Sequence, residues 1–329
     1  MRIALDAMGG DAAPAVPVAG AAEALADLPP SAEILLVGQS AAVEAEIARL
    51  GVRDPRLQVV EAPDVVGMAE KPLAAVRGKP KSSIGVGLRL QREGRAHAFI
   101  SAGNTGAVMA ASTLMLGLHA GVDRPAIGGL FPTVADPVLV LDIGANVDCS
   151  PRELRGFAHV GAVYARDVLG RKDPAVGLLS IGEEPEKGNA AVKEAHELLR
   201  GETHAFRFLG NVEGHDLLRG NVDVAVCDGF VGNVVLKFYE EIAHLFVTLL
   251  KRDMDPSVLQ SDGMRRISAH LDYSTYGGAP LLGVRGVTII CHGRSPARAI
   301  RNAIGVALRA AESHLSQHIG ADLAGGTAA

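Results

Sequence analysis

The 329-residue chain predicts an open α/β fold: a mostly parallel sheet with helices on both faces. Three observations carry this expectation. Short runs of Val, Ile and Leu alternate with longer helix-type runs. The short runs are nearly continuous in apolar residues, as in strands covered on both faces. Most turns between the runs contain Gly, so strand follows helix at the spacing of a parallel sheet. With 48% apolar and 21% charged residues, the chain has the composition of a folded globular protein. Its length suits one two-lobed body over residues 1–320, with a frayed, flexible tail at 321–329.

In chain order, the first strand is expected at 2–5, followed by a helix at 16–28. Strand 33–37 leads to a helix at 41–50, with Ser40 as N-cap and Gly51 just past its end. Strand 57–60, a helix at 83–93 entered through Ser82 and Ser83, strand 98–100 and a helix at 105–116 follow. Next come strands 127–131 and 138–143, a helix at 152–169, strand 176–181, a helix at 186–199, and strands 206–209 and 222–227. Strand 287–291 and a helix at 296–318 close the series.

Residues 233–273 break the rhythm, reading as two helices with no strand between them. Val235, Phe238, Ile242, Leu245, Phe246 and Leu249 recur at helical spacing, Asp255-Pro256 ends that helix, and a second amphipathic stretch covers 257–271. A projecting helical hairpin of this kind seeks cover for its stripe, in a dimer interface or in the core. Its tip carries Val258 and Leu259 between Lys251-Arg252 and Arg265-Arg266, the pattern of an element that touches a membrane surface.

Composition narrows the function. Thirty-two Lys and Arg against 37 Asp and Glu leave a net charge of −5, which disfavours a general nucleic-acid binder. Trp is absent and aromatics make up 4%, so no stacking surface is expected. Three dispersed cysteines, Cys149, Cys227 and Cys291, suit a reducing compartment with neither disulfides nor a zinc site. Asp6 interrupts the first apolar run, and no run reaches the length of a membrane span. A cytosolic protein is the expectation.

Five loops at strand ends are rich in Gly, Asn, Asp and Ser: 6–11 (DAMGGD), 101–106 (SAGNTG), 142–148 (DIGANVD), 228–233 (DGFVGN) and 292–295 (HGRS). In open parallel sheets ligands bind beyond the strand C-termini, and amides at helix starts attract anions. Any one loop is explained by a tight turn; five together point to phosphate or another oxyanion. No P-loop, GxGxxG, GxSxG or HExxH occurs, and neither a cofactor nor a metal is expected. Cys227 ends a buried strand and reads as packing. A lone His292 suits a structural role as well as a catalytic one. Cations near the loops are few: Lys71, Arg77, Lys79, Lys81, and Lys187 in the turn 182–189 (GEEPEKGN).

Taken in order, these markers resemble the acyl-[acyl-carrier-protein]:phosphate acyltransferases of bacterial phospholipid synthesis, the PlsX family. The resemblance runs from about residue 2 to residue 310 through DAMGGD, EKP at 70–72, the Arg77-Lys79-Ser82-Ser83 cluster, SAGNTGA, RPA at 124–126, LDIGANVD, LSIGEEPEKGN at 179–189, GNVEG at 210–214, CDGFVGNVVLK at 227–237, GGAPLLGV at 277–284 and HGRS. Ala12 and Cys227 depart from the usual pattern, which argues against a catalytic part for either.

The resemblance implies a three-layer α/β/α sandwich of the isocitrate/isopropylmalate dehydrogenase and phosphotransacetylase type. It also implies a homodimer built partly on the hairpin, attached peripherally to the inner face of the membrane. The reaction implied turns acyl-ACP and inorganic phosphate into acyl phosphate and free ACP, for use by a membrane glycerol-3-phosphate acyltransferase. Under this reading Lys187 neutralises phosphate or the developing oxyanion, Asn104 and Thr105 contact phosphate, and His292 protonates the leaving thiolate. Asn233, Asn146 and Asp228 shape the crevice. Asp6, Gly9, Gly10, Asp11, Lys71, Arg77, Lys79, Ser82, Ser101 and Asn189 complete the substrate site. Lys251, Arg252, Val258, Leu259, Arg265 and Arg266 meet ACP or the membrane, and Lys79 and Lys81 form an alternative landing site for ACP. A CoA-dependent phosphate acyltransferase and a non-catalytic scaffold binding ACP or acyl phosphate are the rival readings.

Overall fold

Hydrophobic runs and glycine turns sort the chain into eleven strands and thirteen α-helices in a computed structural model that describes residues 1–202, 205–271 and 273–325. In order these are β1 (Arg2–Asp6), α1 (Ala15–Ala24), β2 (Glu33–Gly38), α2 (Ser40–Leu50), β3 (Leu57–Glu61), α3 (Pro72–Gly78), α4 (Ser83–Arg92), β4 (Ala98–Ser101) and α5 (Thr105–Leu116). There follow β5 (Ala126–Phe131), β6 (Val138–Leu141), α6 (Pro151–Asp167), β7 (Ala175–Leu179), α7 (Ala190–Arg200), β8 (Arg207–Val212), α8 (Asp216–Arg219) and β9 (Val224–Val226). Last come α9 (Gly229–Asp253), α10 (Pro256–Leu259), α11 (Asp262–Leu271), β10 (Ala279–Leu282), β11 (Thr288–Ile290), α12 (Ala297–Glu312) and α13 (Leu315–Leu323). Two compact units result. The first holds Met1–Pro125, Arg166–Gly170 and the chain from Tyr276 onward; the second holds Ala126–Ala165 and Arg171–Thr275.

In the first unit the strand order is β3-β2-β1-β4-β11-β10, parallel except for β10 against β11. Ile3, Leu5, Ile34, Leu36, Phe99 and Ile100 are buried there, which explains their unbroken apolar runs. Helices α1 and α12 pack on each other, with α12 against β1, β4 and β11, while α4 and α5 form a second pair against the same sheet. In the second unit the order is β5-β6-β9-β7-β8, with only β5–β6 antiparallel. Helix α6 lies on one face, where a Cβ added to Gly161 would stand 2.7 Å from Val224. The base of α9 covers the other, packing Val231, Val235, Leu236 and Tyr239 on Val138, Val140, Ala225 and Cys227.

Several expected boundaries shift for identifiable reasons. Ser40 does not cap α2: Gln39 holds the cap position, and the Ser40 amide donates instead to Glu61 Oε2 at 3.0 Å. Gly51 does end the helix, in the left-handed region at φ 66°. The helix expected from 186 begins at Ala190, because Gly188, with φ 97°, keeps the preceding turn open. The helix expected over 296–318 breaks at His314, which has φ 54°, and α13 then carries regular structure into the supposed tail as far as Leu323; residues 326–329 lie outside those described. Strand β10 went unforeseen because it is four residues long, contains Pro280 and sits between Gly278 and Gly283, both at positive φ. The segment expected as a hairpin consists of the 25-residue α9 followed by α10 and α11, with Asp272 outside the described residues. Beyond its base the stripe stays open: Phe238 is 68% exposed and Leu245 51%. Among the described residues no helix is long and apolar enough to cross a membrane.

Candidate functional site

In the first unit the neighbouring strands β1, β4 and β11 bring the turns at 6–11, 101–105 and 291–295 together at their C-terminal ends. Asp6 is the hub. Its buried carboxylate accepts from Ser101 Oγ at 2.7 Å and from the Met8 amide at 3.0 Å, and it also bonds Ser83. Burial pushes its pKa up from 3.8, and these hydrogen bonds pull the other way. Only glycine fits beside it, since a Cβ on Gly9 would stand 2.6 Å from Asp6 Oδ2 and 2.7 Å from the Gly103 nitrogen. The Asp11 amide donates to the Gly293 carbonyl at 2.8 Å, tying in the third turn.

Asn104 caps α5 by accepting from Ala107 and donates to the carbonyls of Met68 and Glu70, both at 2.9 Å. Its side chain therefore holds the 67–71 loop, leaving Thr105 as the exposed member of that pair. Lys79 is likewise committed, donating to Val65 O at 2.8 Å and pairing with Glu70 at 2.5 Å, which lowers the Glu70 pKa. Ser82 is buried and caps α4 through the Gly85 amide. Lys71, Arg77 and Lys81 are exposed. His292 is also exposed, and its Nδ1 accepts from the Arg294 amide at 3.1 Å. That bond sets the proton of the neutral ring on Nε2.

The second unit repeats the plan on the adjacent ends of β6, β9 and β7. Asp142, fully buried, accepts from the amides of Ile127, Gly144, Ala145 and Asn146 and from Asn146 Nδ2, all between 2.7 and 3.1 Å. Burial raises its pKa from 3.8 against the pull of the backbone amides. The turn it freezes receives α9: the Gly229 amide donates to Asn146 O at 2.7 Å, and a Cβ on Gly232 would meet Asp142 O at 1.9 Å. Asp228 caps α9 by accepting from Val231 at 2.8 Å. Asn233, one turn into the helix and exposed, faces Gly144, where an added Cβ would stand 3.7 Å from its own Cβ. Asn189 caps α7 through the Val192 amide at 2.9 Å. Lys187 is exposed on the turn before it, and its ammonium has no ion pair among the described residues.

The thiols are not poised for attack. Burial drives Cys227 well above its ordinary 9, and Cys149 and Cys291 to about 12. Glu183, His215 and Asp216 offer ligand-type atoms within 4.8 Å of one another, but Asp216 is already engaged by the Glu213 amide and by Asn221. At the hairpin, Arg252 pairs with Asp253 and Arg265 with Asp262, whereas Lys251 and Arg266 form no ion pair among the described residues.

Comparison with known proteins shows the family of the chain. The fatty acid synthesis protein family matches residues 1–318. The chain is 48% identical to the phosphate acyltransferase of Heliobacterium modesticaldum, over 97% of this chain and 98% of that protein. It is 47% identical to that of Moorella thermoacetica, over 99% and 96%. The chain belongs to the PlsX family of phosphate acyltransferases.

As a PlsX-family acyltransferase, it has fold neighbours among solved structures. A phosphotransacetylase from Streptococcus pyogenes aligns with a TM-score of 0.67 at 17% identity, covering 95% of this chain and 94% of that one. A 4-hydroxythreonine-4-phosphate dehydrogenase from Salmonella typhimurium aligns at 0.55 and 13%, covering 94% and 98%. At those identities the likeness speaks for the α/β sandwich alone. Within this PlsX-family chain the residues expected at the site fall into two sets. Asp6, Ser82, Ser101, Asn104, Asn146, Asn189 and Asp228 use their side chains on the chain's own groups, as caps and turn anchors. Lys187, Asn233, His292, Thr105, Lys71 and Arg77 reach solvent. Asp142, which organises the turn of the second unit, was not foreseen as a site residue; its signal is an acid directly after the run VLVL.

Proposed function

We propose that the chain transfers an acyl group from acyl-ACP to inorganic phosphate, giving acyl phosphate and free ACP. A phosphate oxygen attacks the thioester carbonyl, a tetrahedral oxyanion forms, and the carbon–sulfur bond breaks as the thiolate leaves and takes up a proton. A thioester is already activated and phosphate is already a nucleophile, so the chemistry calls for positioning and oxyanion stabilisation rather than an acyl-enzyme. The suppressed thiols agree with that economy.

The observation that carries the reading is Lys187: an ammonium with no ion pair among the described residues, on a glycine-rich strand-to-helix turn, in a chain of the phosphate acyltransferase family. Lys187 neutralises phosphate, and Asn233 adds a neutral amide. Peripheral attachment to the membrane through the hairpin tip, a homodimer through its stripe, and hand-over of the product to a membrane glycerol-3-phosphate acyltransferase belong to the same reading.

Acyl phosphate formation, followed by hydroxamate trapping with acyl-ACP and then acyl-CoA as donor, tests it directly. Phosphate-dependent product with ACP is expected; turnover with CoA alone would transfer the assignment to the CoA-dependent reaction. Lys187→Ala should raise the KM for phosphate by about tenfold or more, the worth of one charge-assisted contact. Unchanged turnover and phosphate affinity would remove Lys187 from the mechanism.

A further inference from the structure

The motif GNVEG at 210–214 has no part in the chemistry described so far, yet its asparagine lies directly beneath the Lys187 turn. Asn211 sits on β8 opposite Leu178 of β7 and is only 5% exposed. Its Nδ2 donates to the Glu184 carbonyl at 2.7 Å and reaches the Lys187 carbonyl at 3.5 Å. The Lys187 amide in turn donates to Glu184 O at 2.9 Å, so both ends of the tight turn 184–187 are held by one buried amide group. The far side of the turn is fixed as well: the Lys187 stem lies over Gly182, where an added Cβ would stand 3.0 Å from Lys187 Cγ.

Asn211 Oδ1 is buried and accepts no hydrogen bond among the described residues. What this position supplies is the donor pair aimed at the turn. Glu184 and Lys187 themselves are exposed, and Asn211 is the buried side chain that anchors their turn from below.

We infer that Asn211 is a positioning residue for the reaction: by clamping the carbonyls of residues 184 and 187 it fixes the direction in which the Lys187 ammonium meets phosphate. The inference rests on the reading of Lys187 as the phosphate-binding cation. A double-mutant cycle separates the two. Asn211→Ala and Asn211→Ser are each made in the parent and in Lys187→Ala, and kcat and phosphate KM are measured from acyl phosphate production with acyl-ACP. In the parent, either Asn211 variant should lower kcat/KM for phosphate about tenfold, chiefly through KM; in the Lys187→Ala background the same change should cost less than about twofold. The Ser variant, closer in polarity, keeps the test open if the Ala variant does not fold.

Equal losses in both backgrounds would make Asn211 an ordinary structural residue and overturn the inference, even with Lys187 essential. If Lys187→Ala alone leaves phosphate kinetics untouched, the underlying reading of Lys187 fails, and the clamp fails with it.

Discussion

A carboxylate or amide at a strand end can serve a ligand or the chain itself, and this molecule uses many of them on itself. Ser82, Asn104, Asn189 and Asp228 each accept from the amide three residues on and so cap a helix. An N-cap and an anion ligand draw on the same small polar residues before the same helix starts, so sequence alone does not separate them. Arg56 illustrates another self-directed use: it donates to the carbonyls of Leu25 and Leu28 at the end of α1 while Asp54 grips it at 2.7 Å. The Arg56 hydrogen bonds hold the Asp54 carboxyl at about 2, below its ordinary 3.8. A depressed carboxylate adds stability above its unfolded pKa, and that stability disappears as pH falls through the folded value. Asp54→Asn should therefore flatten the loss of stability between about pH 4 and pH 2, read from urea midpoints of both proteins across that range. Parallel slopes would refute the coupling.

Among the elements, α9 is divided in its chemistry. Its first turns are pressed against Asp142 so closely that Gly232 has room for no side chain, and its base is buried on β6 and β9. Farther out, Phe238, Ile242, Leu245, Phe246 and Leu249 face solvent. Periodicity revealed the helix and its stripe, but the stripe reads the same whether it covers a core or waits for a partner. At the far end, Val258 is 40% exposed, and Lys251 and Arg266 form no ion pair among the described residues. If the tip meets an anionic bilayer, Leu259→Glu should release the protein from phosphatidylglycerol vesicles while turnover on soluble substrate persists. Continued sedimentation with the vesicles would rule out that contact.

For the whole molecule, both units follow one scheme: a buried aspartate at a strand end, Asp6 or Asp142, gathers amides and so stiffens a glycine-rich turn. Under the proposed direct attack of phosphate, the rate depends on such stiffness, because it comes from groups held ready in advance. The open stripe of α9 is the molecule's other demand. Covering apolar side chains of this size contributes about 1.5–3 kcal/mol each, which suits pairing of two copies. Sedimentation should find a dimer, and Phe246→Asp should convert it to monomer; a wild-type protein that sediments as monomer would leave the stripe to another partner.

The sequence by itself determined the α/β class, nearly every strand and long helix, and the PlsX resemblance, because apolar periodicity and glycine turns are local and the motifs keep their order. Helix ends and short pieces such as β10 escaped it, since Glu61, Gly188 and His314 act there through backbone geometry or a distant chain segment. Only the tertiary structure decided which polar residues are spent inside and which stay free. Asn104 and Lys187 read alike in the chain, but Asn104 finds carbonyls more than thirty residues away, whereas Lys187 finds no counter-charge among the described residues. That difference is a matter of distance in space, which residue order does not carry.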